Sequence, residues 1–476
     1  MKHLPAICLA CLILPGVVPA ADKPNPPQRA NILVILSDDQ GCADAGFQGS
    51  KEIPTPHLDR LARDGVRCTS GYVTHPYCSP SRAGLLTGRC QMRFGHERNP
   101  YYDPNNHQEG LPLTEKLLPQ YLREAGYASG WIGKWHLGAT PEFRPENRGF
   151  QETFGFIGGG HQYVNWKPDP AGEYRVPICR NGKPVDVKEH LTLAFGREAA
   201  AFINRHKAGP WFLYLAFNAP HTPHQPTPER LEKFAHIENK QRRAYAAQVS
   251  LMDDAIGEAL AALRDTGQAG RTLVFFFSDN GGPTYVGANN GPLRGHKGTT
   301  YEGGVRVPFV VSWPGQLPAG KDYAPPVSSL DVFPTALACA GVPMPTDRPH
   351  DGVNLVPFLR GEQTGPPHDR LFWREEEQGQ WGMRDGAMKL VRRTKAVSAE
   401  GGRYSVSPLT SRSEELFDLG SDIGEAKDLA ATRAADMQRL SGTLDEWNKQ
   451  GAPLAFGGVK GKEAPRPKDR GKKGKP

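Results

Sequence analysis

The chain has 476 residues, enough for one large domain and a smaller companion. Its apolar fraction of 38% suits a globular protein, and past the first twenty residues no uninterrupted apolar run reaches membrane-spanning length, which argues against an integral membrane segment. The net charge of +7 is concentrated in residues 457–476, where eight Lys and Arg face two acids, so the remainder is close to neutral and gives no basis for nucleic-acid binding.

Lys2 and His3 precede the apolar run Leu4 to Val18, and Val18-Pro19-Ala20 supplies the small residues that a signal peptidase reads. Residues 1–20 are therefore expected to be a signal peptide, and the protein to be secreted or periplasmic. Cleavage would leave Cys42, Cys68, Cys78, Cys90, Cys179 and Cys339, which show no metal-type spacing. After a Pro-rich leader, Asn31 to Leu36 is a continuous apolar run typical of a strand buried on both faces, and it ends in Ser37-Asp38-Asp39. A helix is expected from near Thr55 to Arg63, with Leu58, Leu61 and Ala62 on one side. Next, Ser79 to Leu86 reads as a short helix with Ser and Pro at its start and Gly88 as its stop, placing Cys78 at the positive end.

Thr114 to Ala125 has leucines at helical spacing before Gly126. The strand Tyr127 to Ile132 then runs into Gly133-Lys134-Trp135-His136. A helix from Ala199 to His206 precedes the strand Trp211 to Phe217, which runs into Asn218-Ala219-Pro220-His221. A longer helix from Arg242 to Arg264 precedes the strand Thr272 to Phe277, which runs into Ser278-Asp279-Asn280. Helices alternating with apolar strands predict an α/β fold around a mainly parallel sheet. Ligands bind at the carboxyl edge of such sheets, and here four strands end in polar or ionisable residues. Asp38 and Asp39 repel each other unless a cation separates them. With Asp279 and Asn280 they make a set of hard oxygen donors suited to Ca²⁺ or Mg²⁺. From about Arg370 the short runs Leu371 to Trp373, Met388 to Val391 and Glu415 to Phe417 predict a small α+β unit, closed by a helix from Met437 to Trp447.

Cys78-Ser79-Pro80-Ser81-Arg82, followed by Leu85-Leu86-Thr87-Gly88-Arg89, resembles the first signature of the type I sulfatases. Gly126 to His136 resembles the second. The likeness extends from about Asn31 to Ala430 and includes bacterial arylsulfatases and N-acetylgalactosamine-6-sulfatase-like carbohydrate sulfatases. It implies an alkaline-phosphatase-like fold, with a large mixed, mainly parallel sheet between helices and a smaller C-terminal α+β subdomain. The implied division is a catalytic domain over 29–365, a C-terminal subdomain over 366–455 and a basic tail over 456–476.

The resemblance also implies a mechanism. Cys78 would be oxidised to formylglycine by a dedicated maturation enzyme, and one hydroxyl of the hydrated aldehyde would attack sulfur. The other would then lose its proton and eject sulfate, an exit that a serine or thiol lacks. Ca²⁺ would be held by Asp38, Asp39, Asp279 and Asn280, with residue 78 completing the shell. Arg82 would hold the formylglycine against the metal, while Lys134 and Lys297 would bind sulfate oxygens. His136 would hydrogen-bond the diol and act as base, and His221 would contact the leaving-group oxygen, with His224 as a local rival. His161 stands where some sulfatases carry a hydroxyl residue. The implied substrate is a sulfate monoester of a carbohydrate, with Phe154 to Val176 and Phe372 to Trp381 as the loops that would select it. Two alternatives stand beside this reading: a phosphonate or phosphodiester hydrolase of the same superfamily, and a non-catalytic binder of sulfated glycans.

Overall fold

A computed structural model describes residues 29–169, 172–400 and 403–456. The expected signal peptide, most of the leader and the basic stretch 457–476 lie outside the described residues.

A ten-stranded sheet forms the centre of the fold. Its four middle strands are β1 (Asn31–Asp38), β2 (Ala128–Lys134), β3 (Trp211–Pro220) and β4 (Thr272–Ser278). They lie in the order β4-β1-β3-β2 and all run parallel, with Leu33 opposite both Leu213 and Val274. Glu152–Phe156 extends the parallel run beyond β2, and Phe309–Ser312 pairs antiparallel with β4 on the other side. The expected mixed, mainly parallel sheet is thus what the chain forms.

The alternation of side chains along β1 assigns the two helical layers. Ile32, Val34 and Leu36 join one core, together with helices α2 (Cys78–Thr87) and α3 (Leu118–Glu124). Leu33 and Ile35 join the other, together with α1 (Pro56–Arg63), α4 (Leu191–Arg205) and α5 (Lys240–Asp265). Every residue of β1, β3 and β4 is buried, which is why these strands read as unbroken apolar runs rather than alternating ones.

Two helices differ from expectation at their starts. The helix expected from Thr114 begins at Leu118, because Pro119 has no amide hydrogen and fits only the first turn. The helix expected from Ala199 starts eight residues earlier, at Leu191, with the His190 ring accepting from the Thr192 amide. Its interior Gly196, an apparent breaker, lies against Ala255 of α5, where a Cβ would come within 2.5 Å of the backbone oxygen.

The C-terminal unit is a four-stranded antiparallel sheet of β5 (Arg370–Glu375), β6 (Gln380–Asp385), β7 (Met388–Glu400) and β8 (Arg403–Asp418). Helix Ala434–Asn448 covers it, burying Leu440, Leu444 and Trp447 against Met383, Leu390 and Leu416. The strand β6 escapes a reading of apolar runs because Gln380-Trp-Gly-Met-Arg-Asp385 is half polar.

Buried charge ties this sheet to the main body. Lys389 Nζ lies 2.7 Å from Glu302 Oε1 and 3.1 Å from Glu425 Oε1, and the side chains of all three are fully buried. Lys389→Met would leave Glu425 without a cation in the interior and Glu302 with Arg306 alone, 3.2 Å away. It is expected to cost about 3–5 kcal/mol, read as a lowered urea midpoint at unchanged slope.

Candidate active site

The helix α2 starts as its sequence requires. Tyr77 is extended, Cys78 opens the helix, and Gly88 closes it in the left-handed conformation at φ 66°. All ten helical residues are buried. One free amide of the first turn is met from outside, as Ser79 N–H donates to Asn99 Oδ1 at 3.0 Å. Cys78 Sγ consequently sits where β1 ends, 3.5 Å from Asp38 Oδ1 and 3.3 Å from Lys297 Nζ. Burial pushes this thiol up to about 12, outweighing the pull of Lys134 and Lys297. At neutral pH it is therefore an un-ionised thiol, a poor nucleophile.

Asp38, Asp39 and Asp279 come together because β1 and β4 are adjacent and parallel. Each carboxylate meets a cation. Lys134 Nζ is 2.6 Å from Asp38 Oδ2, Lys297 Nζ is 2.6 Å from Asp39 Oδ1, and Arg82 Nη2 is 2.7 Å from Asp279 Oδ2. Burial would raise the Asp39 carboxyl, but Lys297 and His221 outweigh it and hold the group far below the usual range. Asp279 goes the other way, pushed up to about 6 by burial and by Asp38, with Arg82 opposing.

The donor set fits a hard divalent cation. One ligand atom from each of Asp38, Asp39, Cys78 and Asp279 falls within 4.8 Å of the others. Asn280 Nδ2 donates to Asp39 Oδ1 at 2.7 Å, while its Oδ1 is buried without a hydrogen-bond partner. A buried carbonyl oxygen left unpaired beside three carboxylates is what an oxygen-ligated cation would satisfy.

His136 follows β2 at φ 60°, an uncommon conformation for a residue with a side chain. It is pinned through its own carbonyl, which accepts from Ser79 Oγ at 2.6 Å. Burial first, then Lys134 and Arg82, hold its imidazole well below the ordinary histidine range, and Nδ1 has no hydrogen-bond partner. His221 lies 3.6 Å from Asp39 Oδ2, and burial pushes it down to about 4. His221, rather than His224, reaches the cavity. The His224 ring packs on Tyr245 with centroids 5.5 Å apart.

A cavity of about 350 Å³ opens above these groups, lined by Cys78, His136, His221 and Lys297. Lys134, Arg82 and the three aspartates form its floor, behind the lining. Its outer wall comes from Glu97 to Tyr101, a segment that carried no sequence signal, from Glu173 and Tyr174, and from Glu375, Glu377 and Gln378. The two expected selectivity loops, Phe154 to Val176 and Phe372 to Trp381, contribute the last two groups. Position 161 does not take part directly. Both His161 ring nitrogens lie on backbone oxygens, 2.5 Å from Gln162 O and 2.9 Å from Val176 O, so this residue braces the first loop.

The sulfatase family model matches residues 30–342, and the model of the N-sulphoglucosamine sulphohydrolase C-terminal region matches 296–450. The chain belongs to the sulfatase family. As a sulfatase it is a sulfuric ester hydrolase. It is 40% identical over 367 residues to N-acetylgalactosamine-6-sulfatase of Sus scrofa, covering 72% of this chain and 68% of that one. It is 35% identical over 452 residues to steryl-sulfatase of Mus musculus, covering 77% and 70%.

Among solved structures, that of Ps i-CgsB matches with TM-score 0.83 and 35% identity over 90% of this sulfatase and 95% of that chain. The same protein has been solved with k-i-k-neocarrahexaose. A phosphonate monoester hydrolase from Silicibacter pomeroyi shares the fold at TM-score 0.61 and 21% identity. Architecture alone therefore does not separate the sulfatase from its phosphonate-cleaving rival. Among the described residues no helix is long and apolar enough to cross a membrane.

Proposed function

We propose that this sulfatase removes sulfate from a carbohydrate, acting through Cys78 in its formylglycine form with Ca²⁺ held by Asp38, Asp39, Asp279 and Asn280. The observation that carries the reading is the position of Cys78 Sγ, buried at a helix start within 3.5 Å of an aspartate and 3.3 Å of a lysine. A thiol pushed up to about 12 is unsuited to attack, whereas an aldehyde hydrate at that position brings a nucleophilic oxygen into the same field. Bound Ca²⁺ would supply positive charge to polarise the reacting oxygens.

The protein's own groups divide the remaining work. Lys134 and Lys297 carry the positive charge assigned to the sulfate oxygens, and both are fixed by ion pairs before any ligand arrives. Neutral His136 is in the protonation state that a base requires. Arg82, paired to Asp279 through Nε at 3.0 Å and Nη2 at 2.7 Å, holds the floor rigid beneath residue 78. His221 Nδ1 lies 2.7 Å from Thr222 O, which turns Nε2 toward Asp39; with the ring held down to about 4 and neutral, it would assist the departing alcohol only after Nε2 takes up a proton.

The carbohydrate assignment draws support from the N-acetylgalactosamine-6-sulfatase relatives and from the oligosaccharide bound to the matching structure. Export through residues 1–20, maturation by a formylglycine-generating enzyme, and division into 29–365 and 366–455 belong to the same proposal.

The test compares release of sulfate from sulfated mono- and oligosaccharides with turnover of an aryl phosphodiester. Sulfate release at the higher kcat/KM is expected; the reverse order would favour the phosphonate or phosphodiester alternative. His221→Ala is expected to reduce turnover of sugar sulfates about tenfold more than that of aryl sulfates, whose leaving groups need no proton. Equal losses on both substrates would remove His221 from that role.

A further inference from the structure

The loop bearing Lys297 lies outside regular secondary structure and contains Gly295 and Gly298, both at positive φ. Bonds within the loop close its turn, with Thr299 N–H donating to His296 O at 2.9 Å, and external bonds that fix its position reach it from two directions. On one side the Gly298 amide donates to Pro76 O at 3.0 Å, two residues before Cys78. On the other, Gln380 Nε2, at the start of β6, donates to Gly298 O at 3.0 Å. The same amide lies 3.2 Å from Gln378 Oε1, and Gln378 Nε2 donates to the hydroxyl of Tyr77, the residue before Cys78. Thr300 Oγ1 adds a bond to Trp381 O at 3.2 Å. Gln380 is 1% exposed. Gly298, at φ 88°, passes so close to Tyr77 that a Cβ would lie 2.7 Å from its hydroxyl oxygen.

One turn, Glu375 to Gln380, thus touches the residue before the nucleophile position and the residue after the lysine. We infer that Gln380 is a positioning residue that sets the Lys297 ammonium against residue 78, so that the C-terminal sheet is a working part of the active site. The inference rests on the assignment of Lys297 to sulfate. Lysine has a long, flexible stem, so the direction of its ammonium depends on where the backbone is held. A displacement of about 1 Å at a reacting centre can cost on the order of 10²-fold. Because Glu375, Glu377 and Gln378 of the same turn line the cavity, a sugar seated there would press on the element that aligns the lysine.

Gln380→Glu keeps the size of the side chain and replaces its donor with an acceptor facing Gly298 O. On an aryl sulfate it is expected to raise KM, and the Ki of inorganic sulfate as a competitive inhibitor, at least fivefold. Folding would be verified by circular dichroism and formylglycine content by mass spectrometry. A purely structural role would lower the active fraction, and so kcat, while leaving KM and Ki at wild-type values; that result would overturn the inference. Thr300→Val removes only the neighbouring tie and serves if Gln380→Glu does not fold. A two- to threefold rise in both constants is expected, and none would likewise overturn the inference. If inorganic sulfate fails to inhibit the wild-type enzyme and Lys297→Ala leaves KM unchanged, the assignment of Lys297 to sulfate fails first and this inference falls with it.

Discussion

Asp279→Asn is expected to lower kcat/KM for any sulfate ester at least ~10²-fold while leaving a folded protein. Asp279 contributes in two ways, as a carboxylate of the proposed Ca²⁺ set and as the partner of Arg82 at 2.7 Å. The asparagine keeps an oxygen for Arg82 and removes the charge. Without the cation the three aspartates are already neutralised by Lys134, Lys297 and Arg82, so chelation is expected to abolish activity without unfolding. Two measurements check this. Elemental analysis should find about one Ca²⁺ per wild-type chain and less in Asp279→Asn, and added Ca²⁺ should raise the melting temperature of chelated wild type more than that of the variant. Full activity in a preparation shown to lack metal would contradict the assignment.

Cys78→Ala is expected to lose activity by ~10⁴-fold or more, since it removes the group on which turnover is built. Cys78→Ser is more informative. Its hydroxyl has nearly the size of the thiol and keeps the helix start intact, yet it lacks the second hydroxyl needed to eject sulfate. In a host that does not oxidise serine it is expected to take up at most one sulfate per chain and then stop, visible as a single burst with no steady state. Steady turnover by an unmodified serine variant would show that the residue works as an ordinary nucleophile.

The central sheet and its site were legible because burial and chemistry coincide along the same runs. The strands β1, β3 and β4 are buried on both faces, so their apolar runs are continuous, and each ends abruptly in Asp38-Asp39, His221 or Asp279-Asn280. Their adjacency then follows from parallel packing, which brings all the polar ends to one edge. The signature around Cys78 carried the rest.

The two selectivity loops were named from the sequence, but which of their residues face the cavity was not legible, for a physical reason. Glu173 opens a single 3-10 turn, Glu173–Arg175, too short to show periodicity, and its nearness to His136 depends on Gly159, whose absent Cβ would lie 2.7 Å from both side chains. Gln378 and Gln380 lie on a half-polar hairpin some 300 residues beyond Tyr77, and only the docking of the C-terminal sheet brings them to it. Helix starts also missed by a turn or two, at Leu118 and Leu191, where a proline and a packed glycine mattered more than the leucine spacing.

The most direct measurement is mass spectrometry of the tryptic peptide Cys68 to Arg82 after thiol alkylation and treatment with a hydrazide. This peptide holds two cysteines, and Cys68 provides an internal control, being buried and a free thiol like its neighbour Cys78. The expected product from active enzyme carries one alkylated thiol, at Cys68, and one hydrazone, at position 78. An active preparation in which both positions are alkylated, with no hydrazone, would contradict the formylglycine mechanism.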